Sequence, residues 1–186
     1  LTNDSDAHYN YGLILADRGD LDAAIENYQK ALEYDPQYGM AANNLGAAFE
    51  KKDDIESAEK FYKMAIDLDA NNAEAQNNLG ALYSANGELD AAKECFNAAI
   101  AANPHFAQAH YNVSTLKKYT KEDPHYIALE GIAERAHQYP ETDRMRFYFA
   151  LGKARDDVKE YDQAFAAFAA GNALKRKTFE YNEDSV

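Results

Sequence analysis

Residues 45–65, LGAAFEKKDDIESAEKFYKMA, contain the pattern that decides the fold of this chain. In this stretch a glycine is followed by an alanine, an aromatic residue and a second alanine: Gly46, Ala58, Tyr62 and Ala65. The same pattern, with the same spacings, starts at Gly12 and again at Gly80, which lie at equal distances before and after Gly46. Self-similarity at a fixed period of this length indicates a repeat array.

The glycine of each repeat falls inside an expected helix, where it is less favourable than alanine by about 1 kcal/mol. Recurrence of that cost at one register indicates that two backbones approach too closely there for a larger side chain. The alanines that follow indicate the same. We therefore predict that each repeat is a pair of antiparallel helices that meet through small residues, with the aromatic residue filling the wedge beside them.

Turn-forming pairs separate the two helices of each repeat: Gly19-Asp20, Asp53-Asp54 and Gly87-Glu88. They place an acidic residue near the start of the second helix, where the helix dipole favours negative charge. Pro36 and Pro104 lie where two of these second helices must stop. The turn chemistry therefore agrees with the helix pairs.

Small residue, aromatic residue and proline at this period resemble the tetratricopeptide repeat family. The resemblance implies an all-α fold, a right-handed superhelical solenoid of antiparallel helix pairs that binds other polypeptides. We expect one solenoid over residues 1–186. Its expected repeats are 5–38, 39–72, 73–106, a modified repeat at 107–140, and 141–177, with a tail at 178–186.

The fourth repeat departs from the pattern in its second half. Residues 118–124 lengthen the turn, and the next helix is expected from about Pro124 to Tyr139. The step from Ser114 to Gly152 exceeds the step from Gly80 to Ser114 by four, which indicates an insertion. The last helix is expected to end at about Lys177.

A binding groove is predicted on the face opposite the packing residues. When the repeat glycine is called position eight, positions two, six, nine and thirteen point away from the helix pair. Position six is asparagine in four repeats: Asn10, Asn44, Asn78 and Asn112. Position five adds two asparagines and two tyrosines: Asn43, Asn77, Tyr9 and Tyr111.

An amide can both donate to and accept from a peptide backbone. The row resembles the asparagine ladder of superhelical repeat domains in protein-modifying glycosyltransferases, over residues 5–118, and this implies that it holds an extended peptide. The alternative is that these amides meet water or bond to neighbouring repeats. Most other tyrosines fall at packing positions and are expected in the core: Tyr11, Tyr28, Tyr62, Tyr83 and Tyr148.

Basic residues at groove positions are few. The carboxylate clamp of some tetratricopeptide domains needs Lys and Arg there, and the first and third repeats offer none, so a clamp is not expected. In the last repeat Arg146 and Lys153 occupy positions two and nine, near Lys118 of the repeat before. They form a basic spot for an acidic group or, alternatively, pair with Asp156 and Asp157.

Charge and composition narrow the function classes. The net charge is -13, of which residues 1–104 carry -12 (7 Lys and Arg against 19 Asp and Glu). Such a surface repels phosphate, so a nucleic-acid partner is not expected. No apolar stretch predicts a membrane span, and the single Cys95 favours a reducing, cytoplasmic setting. Histidine spacing predicts no metal site, no motif predicts a cofactor or catalysis, and an exposed solenoid end is a candidate for self-association.

The C-terminal segment carries a finer resemblance, over about residues 147–182. Phe149-Ala-Leu-Gly-Lys-Ala154, Asp157, Tyr161-Asp-Gln-Ala-Phe165, Gly171-Asn172, Leu174-Lys-Arg176 and Tyr181 are similar to the last repeat of bacterial proteins that fuse tetratricopeptide repeats to a sulfotransferase domain. This resemblance implies a non-catalytic arm that recruits substrate for a domain beyond Val186. The two hypotheses are therefore a peptide-binding module and the recruiting arm of a sulfotransferase.

Overall fold

A computed structural model describes residues 4–177. Over that range the chain consists of α-helices, one short 3-10 helix and connecting turns, with no strand. The helices are α1 (Asp4–Asp17), α2 (Leu21–Tyr34), α3 (Gly39–Lys51), α4 (Ile55–Leu68), α5 (Ala73–Ala85), α6 (Leu89–Ala102), α7 (Ala107–Leu116), α8 (Pro124–Glu134), α9 (Glu141–Asp157) and α10 (Tyr161–Lys177). The all-α prediction is confirmed, and the predicted tail at 178–186 lies outside the described residues.

The helices belong to two compact units that divide between Pro104 and His105. The first unit contains three consecutive helix pairs, α1 with α2, α3 with α4 and α5 with α6. The second contains α7 to α10, with α9 and α10 as its pair. The expectation of one solenoid over residues 1–186 stays a prediction.

The repeat glycines lie directly beneath the aromatic ring of the paired helix. A Cβ atom added at Gly46 would lie 2.8 Å from Cδ1 of Tyr62 and 3.2 Å from the carbonyl oxygen of Ala58. Three other pairs show the same contact: Gly12 with Tyr28, Gly80 with Phe96, and Gly152 with Phe168. The close approach of the two helices that the sequence predicts is present. The aromatic ring was expected in a wedge beside the small residues, and instead it lies directly on the glycine.

The turn inside each pair needs one residue with a left-handed backbone. Its φ is 81° at Gly19, 63° at Asp53, 83° at Gly87 and 67° at Lys159. The next residue caps the following helix in two cases, where Asp20 Oδ1 accepts from the Ala23 amide at 3.3 Å and Asp54 Oδ1 from the Ser57 amide at 3.1 Å. The left-handed conformation suits glycine and strains a residue that carries a Cβ atom.

Replacing Asp53 by glycine should therefore raise the free energy of unfolding by about 0.5–1 kcal/mol, since relief of left-handed strain exceeds the entropy that glycine adds to the unfolded chain. Urea denaturation followed by circular dichroism measures the change. Gly19→Ala at the equivalent turn is the matched control, because no heavy atom lies within 4 Å of the added Cβ. It should change stability in the opposite direction, and a loss at Asp53→Gly would contradict the argument.

The second unit differs from the prediction in its middle helix. Helix α8 ends at Glu134, and a 3-10 turn follows at Ala136–Gln138, where one helix to Tyr139 was expected. Pro140 explains why Tyr139 is not helical, because a proline forces the residue before it out of the helical region, and Tyr139 is extended with ψ 152°. The α-helix already ends five residues earlier, where Arg135 leaves helical geometry with φ -109° and ψ 17°. The core here is formed by residues such as Leu129, Ile132, Phe147 and Leu151.

A hydrogen-bonded chain of rings crosses this core. His110 Nδ1 lies 2.8 Å from His125 Nε2, and His125 Nδ1 lies 2.8 Å from the Tyr119 hydroxyl. His110 and Tyr119 are buried, and the two imidazoles stack with centroids 4.9 Å apart. Burial, with a smaller effect from His110, lowers the pKa of His125 to about 4. The folded second unit therefore favours a neutral His125.

Candidate functional site

The first helices of the first unit separate position six from position five. Asn10 is exposed and Asn44 and Asn78 are partly exposed, as predicted for residues that point away from the helix pair. Position five is buried, with 8% exposure at Tyr9, 5% at Asn43 and 6% at Asn77. Adjacent positions are about 100° apart around a helix, so position five points into the packed interior.

Hydrogen bonds connect the two positions across neighbouring repeats. Asn44 Nδ2 donates to the Tyr9 hydroxyl at 3.1 Å, and Asn78 Nδ2 donates to Asn43 Oδ1 at 3.1 Å. Each bond runs from position six of one repeat to position five of the repeat before. Bonding to the neighbouring repeat, which the sequence left open as the alternative, is thus present for both amides.

These bonds give the position-five residues a structural role, where contact with a ligand was expected. Tyr9 and Asn43 were expected to face a ligand, and instead they lie inside and fix the orientation of the amides above them. An amide that donates its N–H in this way still has a carbonyl oxygen that can accept. The result is a row of oriented amides at positions that solvent reaches.

One tyrosine predicted in the core is not there. Tyr28 and Tyr62 are buried as expected, and Tyr83 and Tyr148 are partly buried, but Tyr11 is 52% exposed. That prediction was wrong. Its equivalent Leu45 is covered by the helix pair before it, whereas α1 is the first helix of the described chain.

In the second unit the predicted residues lie around a polar chain on α7 and α9. Gln108 Nε2 donates to Asn112 Oδ1 at 2.9 Å, and Arg146 Nε donates to Gln108 Oε1 at 2.6 Å. Lys153 pairs with Asp157 at 2.5 Å. The local pairing considered from the sequence is therefore present for Lys153, through Asp157.

A cleft of about 470 Å³ opens between α7, α9 and α10, beside these hydrogen-bonded polar residues. Its lining combines aromatic rings with amines, hydroxyls and an amide: Tyr111, Ser114, Thr115, Phe149, Lys153, Phe168, Asn172 and Lys175. Tyr111, 36% exposed, meets Phe149 edge to face with ring centroids 6.5 Å apart. The cleft can hold a side chain that is apolar along its length and polar at its tip.

Sequence reasoning found Tyr111 and Lys153 in this cleft and missed its wall on α10. A signal was present, because Asn172 is polar at a position where the first three repeats have Leu32, Ile66 and Ile100. Groove residues were expected only on the first helix of each repeat, whereas α10 is the second helix of its pair. A polar residue at a register that is otherwise apolar could have indicated this wall of the cleft.

Two further properties concern the described residues as a whole. Over residues 4–177 no cluster of three or more His, Cys, Asp or Glu side chains has the arrangement of a metal site. None of the helices in that range combines the length and the apolar composition that crossing a bilayer requires. Cys95 is a partly buried free thiol, and burial raises its pKa.

Comparison with known proteins places this geometry in a family. Three repeat models match: "TPR repeat" over residues 12–53, and "Tetratricopeptide repeat" over residues 41–72 and again over 73–106. Together the matches run from residue 12 to residue 106 without a gap. Curated proteins contain no match to the sequence.

Solved structures share the fold. A crystal structure of MamA is 26% identical with a TM-score of 0.63, over 91% of this chain and 97% of that one. Pseudomonas aeruginosa PilF is 22% identical with a TM-score of 0.69, over 90% and 76%. The second TPR domain of human RPAP3, in complex with the HSP70 peptide SGPTIEEVD, is 27% identical with a TM-score of 0.57, over 62% and 96%.

The glycine–ring contacts, the left-handed turns and the matched repeat models describe one kind of chain. In the first unit, helix pairs recur at the period set by Gly12, Gly46 and Gly80, and the family models cover the same part of the chain. This chain belongs to the tetratricopeptide repeat family.

Proposed function

We propose that this chain is a protein-interaction module that binds an extended segment of a partner protein. The binding surfaces are the position-six amides of the first unit, Asn10, Asn44 and Asn78, and the cleft in the second unit. The single observation that carries the proposal is the pair of inter-repeat hydrogen bonds that hold Asn44 and Asn78.

Fixed amides favour binding of a peptide backbone for an entropic reason. A free asparagine side chain loses rotamer freedom when it grips a ligand, and that loss opposes association. The bonds to Tyr9 and Asn43 impose this order before any ligand arrives. Since each amide carbonyl can accept from a backbone N–H, the row recognises an extended chain with little dependence on its side chains.

Charge selects among such partners. Residues 1–104 carry -12, so the first unit favours a neutral or basic segment. In the second unit, Lys153 and Lys175 border the cleft beside three aromatic rings. That cleft suits an aromatic or long apolar side chain of a partner. The human RPAP3 domain, whose structure holds the HSP70 peptide SGPTIEEVD, supports a peptide as the kind of partner; that peptide is acidic, so it does not bear on the charge preference.

The amide row is tested by selecting peptides on the intact chain from a random display library and measuring their affinity by calorimetry. Asn10→Ala, which alters an exposed side chain, should weaken binding about 3–10-fold through the loss of one hydrogen bond, with little change in melting temperature. Asn97→Ala, at an exposed asparagine on α6, is the matched control and should bind like the original chain.

Asn44 requires a second control because it also stabilises the fold. Asn44→Ala and Tyr9→Phe both remove the bond between these two residues, so both should lower the melting temperature. Only Asn44→Ala removes the amide, and it should reduce affinity more than Tyr9→Phe does. Equal effects on affinity, or peptides that bind regardless of all three substitutions, would show that the row has a structural role alone.

The finer alternative is the recruiting arm of a sulfotransferase. It rests on the resemblance of residues 147–182 alone, of which 178–182 lie outside the described range. Reading the gene beyond Val186 tests it: a strand followed by a phosphate-binding loop would support it, and a stop codon would remove it. The cytoplasmic location expected from Cys95 likewise stays a proposal.

A further inference from the structure

Helix α1 exposes an apolar face that the equivalent helices bury. Tyr11 is 52% and Ile14 49% exposed. Their equivalents one repeat later, Leu45 and Ala48, are 0% and 3% exposed. The equivalents in α5 are Leu79 and Leu82, at 5% and 1%. In α3 and α5 this face packs against the second helix of the repeat before, whereas over residues 4–177 the same face of α1 stays exposed.

Helix α10 presents the opposite half of such an interface. Tyr161 is 61% and Phe165 76% exposed. The equivalent of Phe165 in α2 is Ile25, which is partly buried against a core that includes Ala41 and Leu45 of α3. Inside the first unit, this register therefore receives the first helix of the next repeat. Large exposed apolar residues at such a register mark an interaction surface.

Charge at the two faces is complementary. In the first turn of α1, Asp4 shares the side of Tyr11, whereas Asp6 bonds to Tyr38. In the last turn of α10, Arg176 shares the side of Phe165, whereas Lys177 pairs with Glu141. Helices joined by a short turn, such as α2 and α3, run antiparallel. An α10 that lay on α1 as α2 lies on α3 would bring its cationic C-terminal turn to the acidic first turn of α1. At the other end, Asp162 would approach Arg18.

We propose that copies of this chain associate head to tail, with α10 of one copy packed on α1 of the next. The interface reuses the packing between consecutive repeats and is heterologous, since two different surfaces meet. The apolar residues that carry it, Tyr11, Ile14, Tyr161 and Phe165, belong neither to the amide row nor to the lining of the cleft, so it goes beyond the proposed peptide binding. The occupant of each face is the opposite end of a second copy.

The intact chain should show a concentration-dependent mass above 20.8 kDa in sedimentation velocity and light scattering. Tyr11→Asp and Phe165→Asp should each weaken association of the variant with itself by roughly tenfold or more, because one large apolar side chain no longer enters the interface. Both positions are exposed, so circular dichroism should show an unchanged fold. Ile127→Asp, at an exposed apolar residue on α8, is the control and should associate like the original chain.

A mixture of the two variants tests whether α10 of one copy contacts α1 of the next. Tyr11→Asp keeps an intact α10 and Phe165→Asp keeps an intact α1, so an equimolar mixture should form a one-to-one dimer and no larger species. If the original chain stays monomeric at all concentrations, if the mixture stays monomeric, or if either variant alone associates fully, the proposal is overturned. Asn10→Ala should leave association unchanged, which separates this test from that of peptide binding.

Discussion

Replacing Phe96 by alanine should lower the free energy of unfolding by about 3–5 kcal/mol, the usual cost of removing a buried aromatic ring and leaving a cavity. Phe96 is 2% exposed, and its ring covers Gly80. Because an ordinary domain is stable by only about 5–15 kcal/mol, this loss alone should unfold part of the population at moderate temperature. Urea denaturation at constant pH measures the loss.

The glycine beneath the ring supplies a sharper test, because the effect of Gly80→Ala on the free energy of unfolding should have opposite signs with and without the ring. A Cβ atom at Gly80 would lie 2.7 Å from two carbons of Phe96 and 3.1 Å from the carbonyl oxygen of Ala92. Overpacking of this kind destabilises by about 1–3 kcal/mol, which outweighs the gain of up to about 1 kcal/mol in helix propensity. Gly80→Ala should therefore destabilise the original chain and stabilise Phe96→Ala.

Gly131→Ala is the matched control for this cycle. No heavy atom lies within 4 Å of a Cβ atom at that helical glycine, so propensity alone applies and stability should rise by up to about 1 kcal/mol. Additive effects of Gly80→Ala and Phe96→Ala would mean that the ring and the glycine are not coupled. The regular recurrence of the glycine would then need another cause.

Lowering the pH from 7 to 5 should reduce the free energy of unfolding by about 2 kcal/mol through His125 alone. Its pKa falls from an ordinary 6.5 to about 4 in the folded chain. Between these values the unfolded chain binds a proton that the folded chain does not. The contribution of this group is therefore fully present above pH 6.5 and is lost as the pH falls toward 4.

The surroundings of His125 support this direction. Burial dominates, His110 and Lys117 also disfavour a positive charge, and Asp123 opposes them with a smaller effect. Carboxylates with a lowered pKa, such as Glu59 and Glu160, respond below about pH 4.5, so the interval from 5 to 7 reports histidines and not carboxylates.

Denaturant unfolding at several pH values between 5 and 7.5 tests this prediction. His125→Asn should be less stable at neutral pH, because the bonds to His110 and Tyr119 are lost, and its stability should depend much less on pH in this interval. His137→Asn, at an exposed histidine, should keep the original slope. A slope that survives His125→Asn would place the pH response elsewhere.

The helix pair within each repeat could be predicted from the sequence because the contacts between its two helices are local in the chain. Gly46 and Tyr62 lie on consecutive helices and meet across a single turn, so their spacing reports their contact directly. The turn residues and helix caps are local in the same sense. The helix pairs of the first unit and the all-α fold followed from these features.

Burial between repeats was not readable, since it depends on side chains one full repeat away and on whether a neighbouring repeat exists. Asn43 and Asn44 are adjacent and chemically identical, yet one is buried and the other reaches solvent. Tyr11 and Leu45 share a register, and among the helices of residues 4–177 only Leu45 has one over it.

By itself, then, the sequence determined the helix pairs, the close approach of the two helices at the repeat glycines and the recurrence of asparagine at position six, because helical periodicity and short-range spacing suffice for these. Only the tertiary structure decided which amides lie inside, which partner each one bonds, and which apolar side chains of α1 and α10 are exposed. Those outcomes depend on packing between repeats, a free-energy term that no local pattern contains.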